Sequence, residues 1–398
     1  TGCRFSAPVG ILLISSKNMK LEKNLSRQDS LRAGSDPRSA NIPLLYALHS
    51  GNLYGTERMA LATIAGMSDI CSPLLLAPPG PVHVAAQRLG ASSCAFTSVR
   101  EFATMLQPLL AAHQAFAYVA TGVMHSLVLL AWNLRYRRRV AHLHIVHGGA
   151  EESVSYGRKR WLNRAQVAFV AVSAFVKERL LAHGVRADRI VVIENFLPDG
   201  LSTRTPRRRS FTKAGIQRVL IVSRLDPIKR VDLLLDALDM APDLRTLSIR
   251  ILGSGWDAER LRDRAARCHP NVEFVGFTDT VQDELAAADL LLHLCPVEPF
   301  GLAILEAMAA GTPVLGPDTG GAAALIDEGV SGLHFRANDA RDLAERLRGL
   351  CSLAPEYLNA MVLGGEQALA TRFSATERIA DYRRLIQRQL TLGLKGGS

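Results

Sequence analysis

From residue 42 onward, short apolar runs alternate with longer stretches in which apolar side chains return every third or fourth position. The runs at 44–48, 71–76, 116–120, 142–146, 169–172 and 190–193 suit strands buried on both faces, and the stretches at 57–66 and 174–182 suit helices between them. Such alternation predicts a parallel sheet covered by helices, with ligands at the carboxyl ends of its strands. The pattern breaks over 197–215, where Pro198, Pro206 and the Arg207-Arg208-Arg209 run sit among Ser and Thr. It then starts again, with strands expected at 218–222, 247–252, 272–274, 290–294 and 313–315, and helices at 231–238, 258–267, 281–287 and 302–309. A long amphipathic helix over 376–390 carries Arg378, Arg383, Arg384 and Arg388. The expectation is an α/β protein of two doubly wound, Rossmann-like domains, 41–205 and 206–375, facing each other across a cleft. Residues 376–398 would pack back on the first domain, and residues 1–40, rich in Ser, Arg, Lys and Asn, would form a disordered leader.

A chain of 398 residues is longer than one hydrophobic core usually supports, which agrees with two domains. At 48% hydrophobic and 21% charged residues it is too apolar for a disordered chain. The net charge of +10 is unevenly placed: residues 1–210 hold 26 Lys and Arg against 12 Asp and Glu, and the remainder 21 against 25. A basic first domain suits an anionic partner, a solvated face being the plainer reading. The six cysteines form no Cys-x-x-Cys pair and fit a reducing compartment. The most apolar long stretch, 119–132, is too short to span a bilayer, so the expected location is the cytoplasm or the inner face of a membrane.

The densest chemistry lies in CPVEPFGLAILEAMAAGTPVLGPDTGG, residues 295–321. A strand leads into a loop holding Glu298, a helix opens at Gly301 and stops at Gly311, and Pro313 begins the next strand. A helix N-terminus left uncovered by glycine presents unsatisfied amides and the positive end of the helix dipole to an anion. Glu298 and Glu306 flank that terminus, and carboxylates accept hydrogen bonds from hydroxyls. A ligand with phosphates in its middle and hydroxyls at both ends fits, which describes a nucleoside diphosphate sugar.

Glu298, seven intervening residues and Glu306, followed by Gly311, Pro313 and Gly320-Gly321, resemble the E-x7-E signature of family-4 glycosyltransferases, retaining enzymes of the GT-B fold. Further segments are similar to that family: Val222 to Arg230 to its G-R-L-x-x-x-K-G stretch, Ile251 to Gly255 to its I-x-G-x-G turn, and Val275-Gly276-Phe277 to the turn beside the nucleotide base. The resemblance runs from about residue 44 to about residue 388. It implies that Arg224 and Lys229 neutralise the departing diphosphate, that Glu298 meets sugar hydroxyls, and that Glu306 holds the ribose. It places Gly55, Gly276, Phe300, Gly301 and Leu302 around the donor, and His147 near the anomeric centre in a supporting catalytic role. Three positions depart from the pattern: Ser223 stands for the usual Gly, Ala322 to Ala324 follow Gly320-Gly321 where an acid is usual, and Phe196 follows Asn195 in place of Gly.

The function implied is retaining transfer of a sugar from a nucleoside diphosphate sugar to a hydroxyl of a glycan or lipid-linked acceptor, in polysaccharide or glycolipid biosynthesis. No cofactor is expected beyond the donor substrate. No Asp-x-Asp pair occurs in the sequence, so turnover without a metal is the expectation, and His142, His144 and His147 lack a nearby further ligand. A nucleotide-sugar epimerase or a phosphorylase could use the same architecture. A basic binding module for membrane or nucleic acid would account for the charge but has no use for the Arg224, Lys229, Glu298 and Glu306 set. The partners expected are the donor, the acceptor and an anionic membrane surface touched peripherally by Arg135, Arg137 to Arg139, Arg158 to Arg160 and Arg164, and no nucleic acid.

Overall fold

The computed structural model describes residues 42–149, 152–197 and 207–395. The leader expected over 1–40 and the domain boundary expected at 205/206 lie outside the described residues.

Two parallel α/β sheets carry the fold. The first holds seven strands: β1 Ile42–Ala47, β2 Cys71–Ala77, β3 Ser92–Ala95, β4 Ala115–Ala120, β5 Arg139–Val146, β6 Ala168–Ala171 and β7 Ile190–Val192, in the order β3-β2-β1-β4-β5-β6-β7. The second holds β8 Arg218–Val222, β9 Ser248–Leu252, β10 Val272–Gly276, β11 Leu290–Leu292, β12 Val314–Pro317 and β13 Leu333–Phe335, in the order β10-β9-β8-β11-β12-β13. In each sheet the chain begins at an inner strand, builds outward to one edge, then crosses over and builds to the other. The crossovers leave crevices at the carboxyl ends of β1 and β4 and of β8 and β11, where open α/β sheets bind ligands.

Burial follows the sequence pattern. Leu44, Tyr46 and Ala47 of β1 and Phe116, Ala117, Tyr118 and Val119 of β4 are fully buried. Leu45, Phe102, Leu106, Phe116 and Tyr118 pack in one core cluster. Around the second sheet, Ile221, Ile249, Ile251, Leu290 and Leu292 pack with Leu234, Leu235 and Leu238 of the helix Val231–Met240. Each such side chain contributes about 1.5–3 kcal/mol when fully buried.

By packing, the described chain divides into two compact units. One takes the residues up to His144, with Ala165–Val167 and the chain from Leu385 on; the other takes Ile145–Arg164 and Ala168–Arg384. The apolar stretch 119–132 is shared between β4 and the helix Val123–Tyr136. Among the described residues no helix is long and apolar enough to cross a membrane.

Candidate active site

The second sheet's crevice is built from the loops that leave β8 and β11. After β8 the chain runs through Ser223, Arg224 and Leu225 into a short turn at Pro227–Lys229. The loop after β9 holds that segment: Leu225 N–H donates to the Ser254 carbonyl at 3.0 Å, and Asp257 N–H to the Leu225 carbonyl at 3.0 Å. Contact this close needs glycine. A Cβ on Gly253, whose φ is +126°, would lie 1.9 Å from the Ser223 carbonyl oxygen. The I-x-G-x-G stretch is thus what lets β9 support Arg224 from below.

After β11, His293 N–H still bonds the Leu315 carbonyl at 2.9 Å, and the chain then turns through Cys295 to Glu298. The Glu298 carboxylate receives the Lys229 ammonium at 2.5 Å, and both side chains are largely buried. Burial raises the carboxyl pKa of Glu298, but Lys229 and His293 outweigh that and hold it below its ordinary value. Burial likewise works against the Lys229 ammonium, and the Glu298 charge outweighs it, so the lysine pKa is raised. The His293 Nε2 lies 3.6 Å from the same carboxylate oxygen. Its imidazole is held neutral: burial lowers its pKa to about 4, Lys229 helping and Glu298 opposing. Burial pushes the Cys295 thiol up to about 11. Arg224 is more open, with its guanidinium 3.0 Å from Asp226 and 58% of its side chain exposed.

Gly301, at φ +105°, turns the chain into the helix Leu302–Ala310, whose N-terminus has no side-chain cap. Glu306 lies buried one turn in, and Gly311, at φ +73°, ends the helix. Phe300 is buried with its ring edge-on to Phe373, so its aromatic side chain serves the interior and only its backbone stands at the loop. Gly276 ends β10 at φ +84° and accepts the Gly253 N–H at 2.8 Å, which ties the β9 and β10 loops together.

His147 follows β5, and its neighbour Gly148 abuts the same site. A Cβ on Gly148 would come within 2.5 Å of the Pro299 ring and 2.7 Å of the Tyr156 hydroxyl. Burial and then the Glu298 charge push the Tyr156 phenol up to about 12. Ser173 donates its hydroxyl to the Pro299 carbonyl at 2.6 Å, fixing the loop that carries Glu298. The structure therefore brings together Arg224, Lys229, Glu298, the Gly301–Glu306 segment and the loop after His147. Sequence reasoning missed His293, Tyr156, Ser173 and Asp226. Asp226 and Ser173 sat within segments similar to the family's, Val222 to Arg230 and Val172 to Leu180, without a role assigned to them; His293 and Tyr156 reach the site through tertiary packing.

Gly55 belongs to the first unit, where it opens the helix Gly55–Gly66 and Glu57 caps it by accepting the Tyr54 N–H at 3.0 Å. The close approach in that loop is instead at Gly51, where a Cβ would meet the Pro78 carbonyl oxygen at 2.3 Å. At the crevice of β1 and β4, the His49 Nδ1 and the Thr121 hydroxyl are 2.8 Å apart. His142 and His144 do share a face, because both reach the Ser126 hydroxyl, at 3.0 and 2.9 Å. That hydroxyl can donate to one ring and accept from the other.

Comparison with known proteins agrees with this layout. The family model "Glycosyltransferase Family 4" matches residues 78–199 and "Glycosyl transferases group 1" matches residues 204–364, together more than half of the chain. The chain is 30% identical over 305 residues to a D-inositol 3-phosphate glycosyltransferase of Geodermatophilus obscurus, covering 66% of this chain and 65% of that protein. It is 29% identical over 203 residues to a phosphatidyl-myo-inositol mannosyltransferase of Mycobacterium leprae, covering 50% and 53%. The matches thus span about half to two thirds of the length of these curated relatives. Among solved structures, Anabaena HepE in complex with UDP-glucose superimposes with a TM-score of 0.73 at 21% identity, over 86% of this chain and 100% of that one. Its fold is shared. With two parallel-sheet α/β domains of GT-B type and both family models matched in chain order, the chain belongs to the family-4 glycosyltransferases.

Proposed function

We propose that the protein moves a sugar, with retention, from a nucleoside diphosphate sugar to a hydroxyl of a glycan or lipid-linked acceptor in polysaccharide or glycolipid assembly. The observation that supports it most is the buried Lys229–Glu298 pair at the carboxyl ends of β8 and β11, next to the uncapped helix behind Gly301. As the glycosidic bond to phosphate breaks, negative charge grows on the leaving diphosphate. Lys229, Arg224 and the amides at Leu302 are positive groups that would stabilise it in the donor-bound site. Glu298 would accept hydrogen bonds from donor-sugar hydroxyls and Glu306 from the ribose. Retention is read as front-face attack, the acceptor hydroxyl passing its proton to the departing phosphate oxygen as the new bond forms. His147 would support the sugar near its anomeric carbon.

These cations can carry the leaving-group charge, so turnover is expected to persist in excess EDTA. HepE was solved with UDP-glucose, which makes UDP-hexoses the first donors to try. The test is a panel of nucleotide sugars scored by released nucleoside diphosphate and by product mass. A new glycoside of retained configuration supports the reading; donor consumed to an isomeric nucleotide sugar, or turnover only with inorganic phosphate, replaces it with epimerase or phosphorylase chemistry.

The acceptor reading extends to an anionic membrane at the cytoplasmic face. Arg158, Arg160 and Arg164 are exposed around the turn Gly157–Leu162, and Trp161 beside them is 54% exposed. Basic side chains with an exposed aromatic suit a lipid interface. Vesicles containing phosphatidylglycerol should bind the protein less as salt rises, and Trp161→Ala should weaken binding further; no retention at low salt would remove this part.

A further inference from the structure

A second cavity lies beside the loop of Glu298. It has a volume of about 520 Å³ and opens at the carboxyl ends of β12 and β13, one strand along from the loop of Glu298. Its walls are Phe175 and Arg179 from the helix Ala174–Ala182, Asp318 and Thr319 after β12, and Arg336 and Asn338 after β13, with Pro296 and Val297 at its base. That volume falls within the range of about 300–1,000 Å³ usual for small-molecule sites.

The lining has a mixed chemistry that narrows the occupant. Arg179 stacks its guanidinium over the Phe175 ring at 5.7 Å, so an aromatic face and a fork of N–H donors come from one helix. Asp318 is held by the Ala337 N–H, which donates to its Oδ1 at 2.9 Å, and the carboxylate keeps a second oxygen. Arg336 is oriented by a bond from its Nη1 to Asp339 at 3.0 Å, leaving the rest of its five donors. The backbone is also unusual here: Gly320 at φ +83° and Asn338 at φ +62° both take left-handed conformations, the latter uncommon outside glycine. The Asn338 amide oxygen accepts from Arg230, the residue directly after Lys229, so this wall is tied to the loop of the leaving-group lysine.

A free phosphate would meet the arginines but also the Asp318 carboxylate. A sugar unit suits every wall: its hydroxyls donate to Asp318 and to the Thr319 oxygen, whose own proton goes to the Pro296 carbonyl at 3.0 Å, and accept from Arg179, Arg336 and the Asn338 amide, while its apolar ring face lies on Phe175. We propose that this cavity is a carbohydrate subsite, holding a sugar unit of the acceptor glycan away from the reacting hydroxyl. The proposal rests on the glycosyltransferase reading above and names the acceptor class for it, an oligosaccharide and not a monosaccharide or a simple alcohol.

The test uses the full chain and a double variant, Asp318→Asn with Arg336→Ala. The asparagine keeps an oxygen for the Ala337 amide, and the Arg336 side chain is 71% exposed, so the fold has little reason to change. Both proteins are passed over a microarray of bacterial and plant oligosaccharides in saturating UDP, with UDP binding measured separately by calorimetry. The expected result is that wild type retains a set of oligosaccharides, that the variant retains them roughly tenfold less, and that UDP affinity stays within about twofold. No oligosaccharide retained by wild type, or equal retention by both proteins, overturns the subsite. Failure of wild type to bind any of UDP, GDP and ADP would instead overturn the reading as transfer from a nucleoside diphosphate sugar, so the two failures are told apart.

Discussion

Lys229 and Glu298 are a buried ion pair, and removing either partner leaves the other as an unpaired charge in a site with little water. Lys229→Met should therefore lower stability by about 3–5 kcal/mol, whereas Lys229→Met with Glu298→Gln should restore most of it while activity stays lost. Urea unfolding of the two single variants and the double closes the cycle, and additive losses would show that the pair is not coupled. Arg224 makes a different case because its side chain is mostly exposed and paired with Asp226. Its alanine variant should unfold like wild type yet turn over about 100-fold more slowly or worse, while Glu306→Ala should chiefly raise the donor KM. Steady-state kinetics check both, and wild-type constants in each would end this assignment of roles. The four residues were legible because their spacing sits within segments that the family shares. Tyr156 and His293 were not: one is an ordinary tyrosine at the turn between two short helical segments, the other a histidine in an apolar run, and only folding sets each beside Glu298.

Most elements were legible for a simple reason. Strands buried on both faces have continuous apolar runs, and β8 and the helices Ala174–Ala182 and Val281–Ala287 begin and end where the pattern does. The two strands that escaped notice, β3 and β13, are sheet edges. An edge strand needs apolar side chains on fewer sides, and Ser92–Ala95 accordingly reads as a polar turn while Leu333–Phe335 is too short for any period to appear. The helices Ala340–Ser352 and Pro355–Thr371, which follow β13, went unmarked with it. The β9 loop gives a test at this scale. Gly253→Ala adds a Cβ where the Ser223 carbonyl already stands and demands a left-handed alanine, so it should cost about 1–3 kcal/mol and displace Arg224. Stability from chemical unfolding together with a fall in turnover is the expected outcome; unchanged values in both would mean that the loop does not position Arg224.

Across the whole molecule, three buried imidazoles tie stability to pH. Burial lowers the pKa of His142 to about 3, and burial with help from His49 lowers that of His125 to about 4; His293 also lies near 4. In the unfolded chain each titrates at about 6.5, so below that value the unfolded state takes up protons that the folded state refuses. Stability should therefore be fully present above about pH 6.5 and fall as the pH drops toward 4, by on the order of 1 kcal/mol per pH unit for each imidazole. Thermal unfolding between pH 7 and 4.5 checks it, and a midpoint that stays flat over that span would contradict the burial of these rings. The ion pair at β8 and β11 has one further consequence, over a full catalytic cycle. An intact donor offers a diphosphate to Lys229 and hydroxyls to Glu298, so separating the pair gives each member a new partner. The spent nucleotide offers only the diphosphate and strands the carboxylate. Such a site would discriminate against the spent nucleotide, and Glu298→Gln should narrow the gap between the Kd values of the donor found in the nucleotide-sugar panel and of its nucleoside diphosphate, leaving a protein more easily inhibited by the nucleotide it releases.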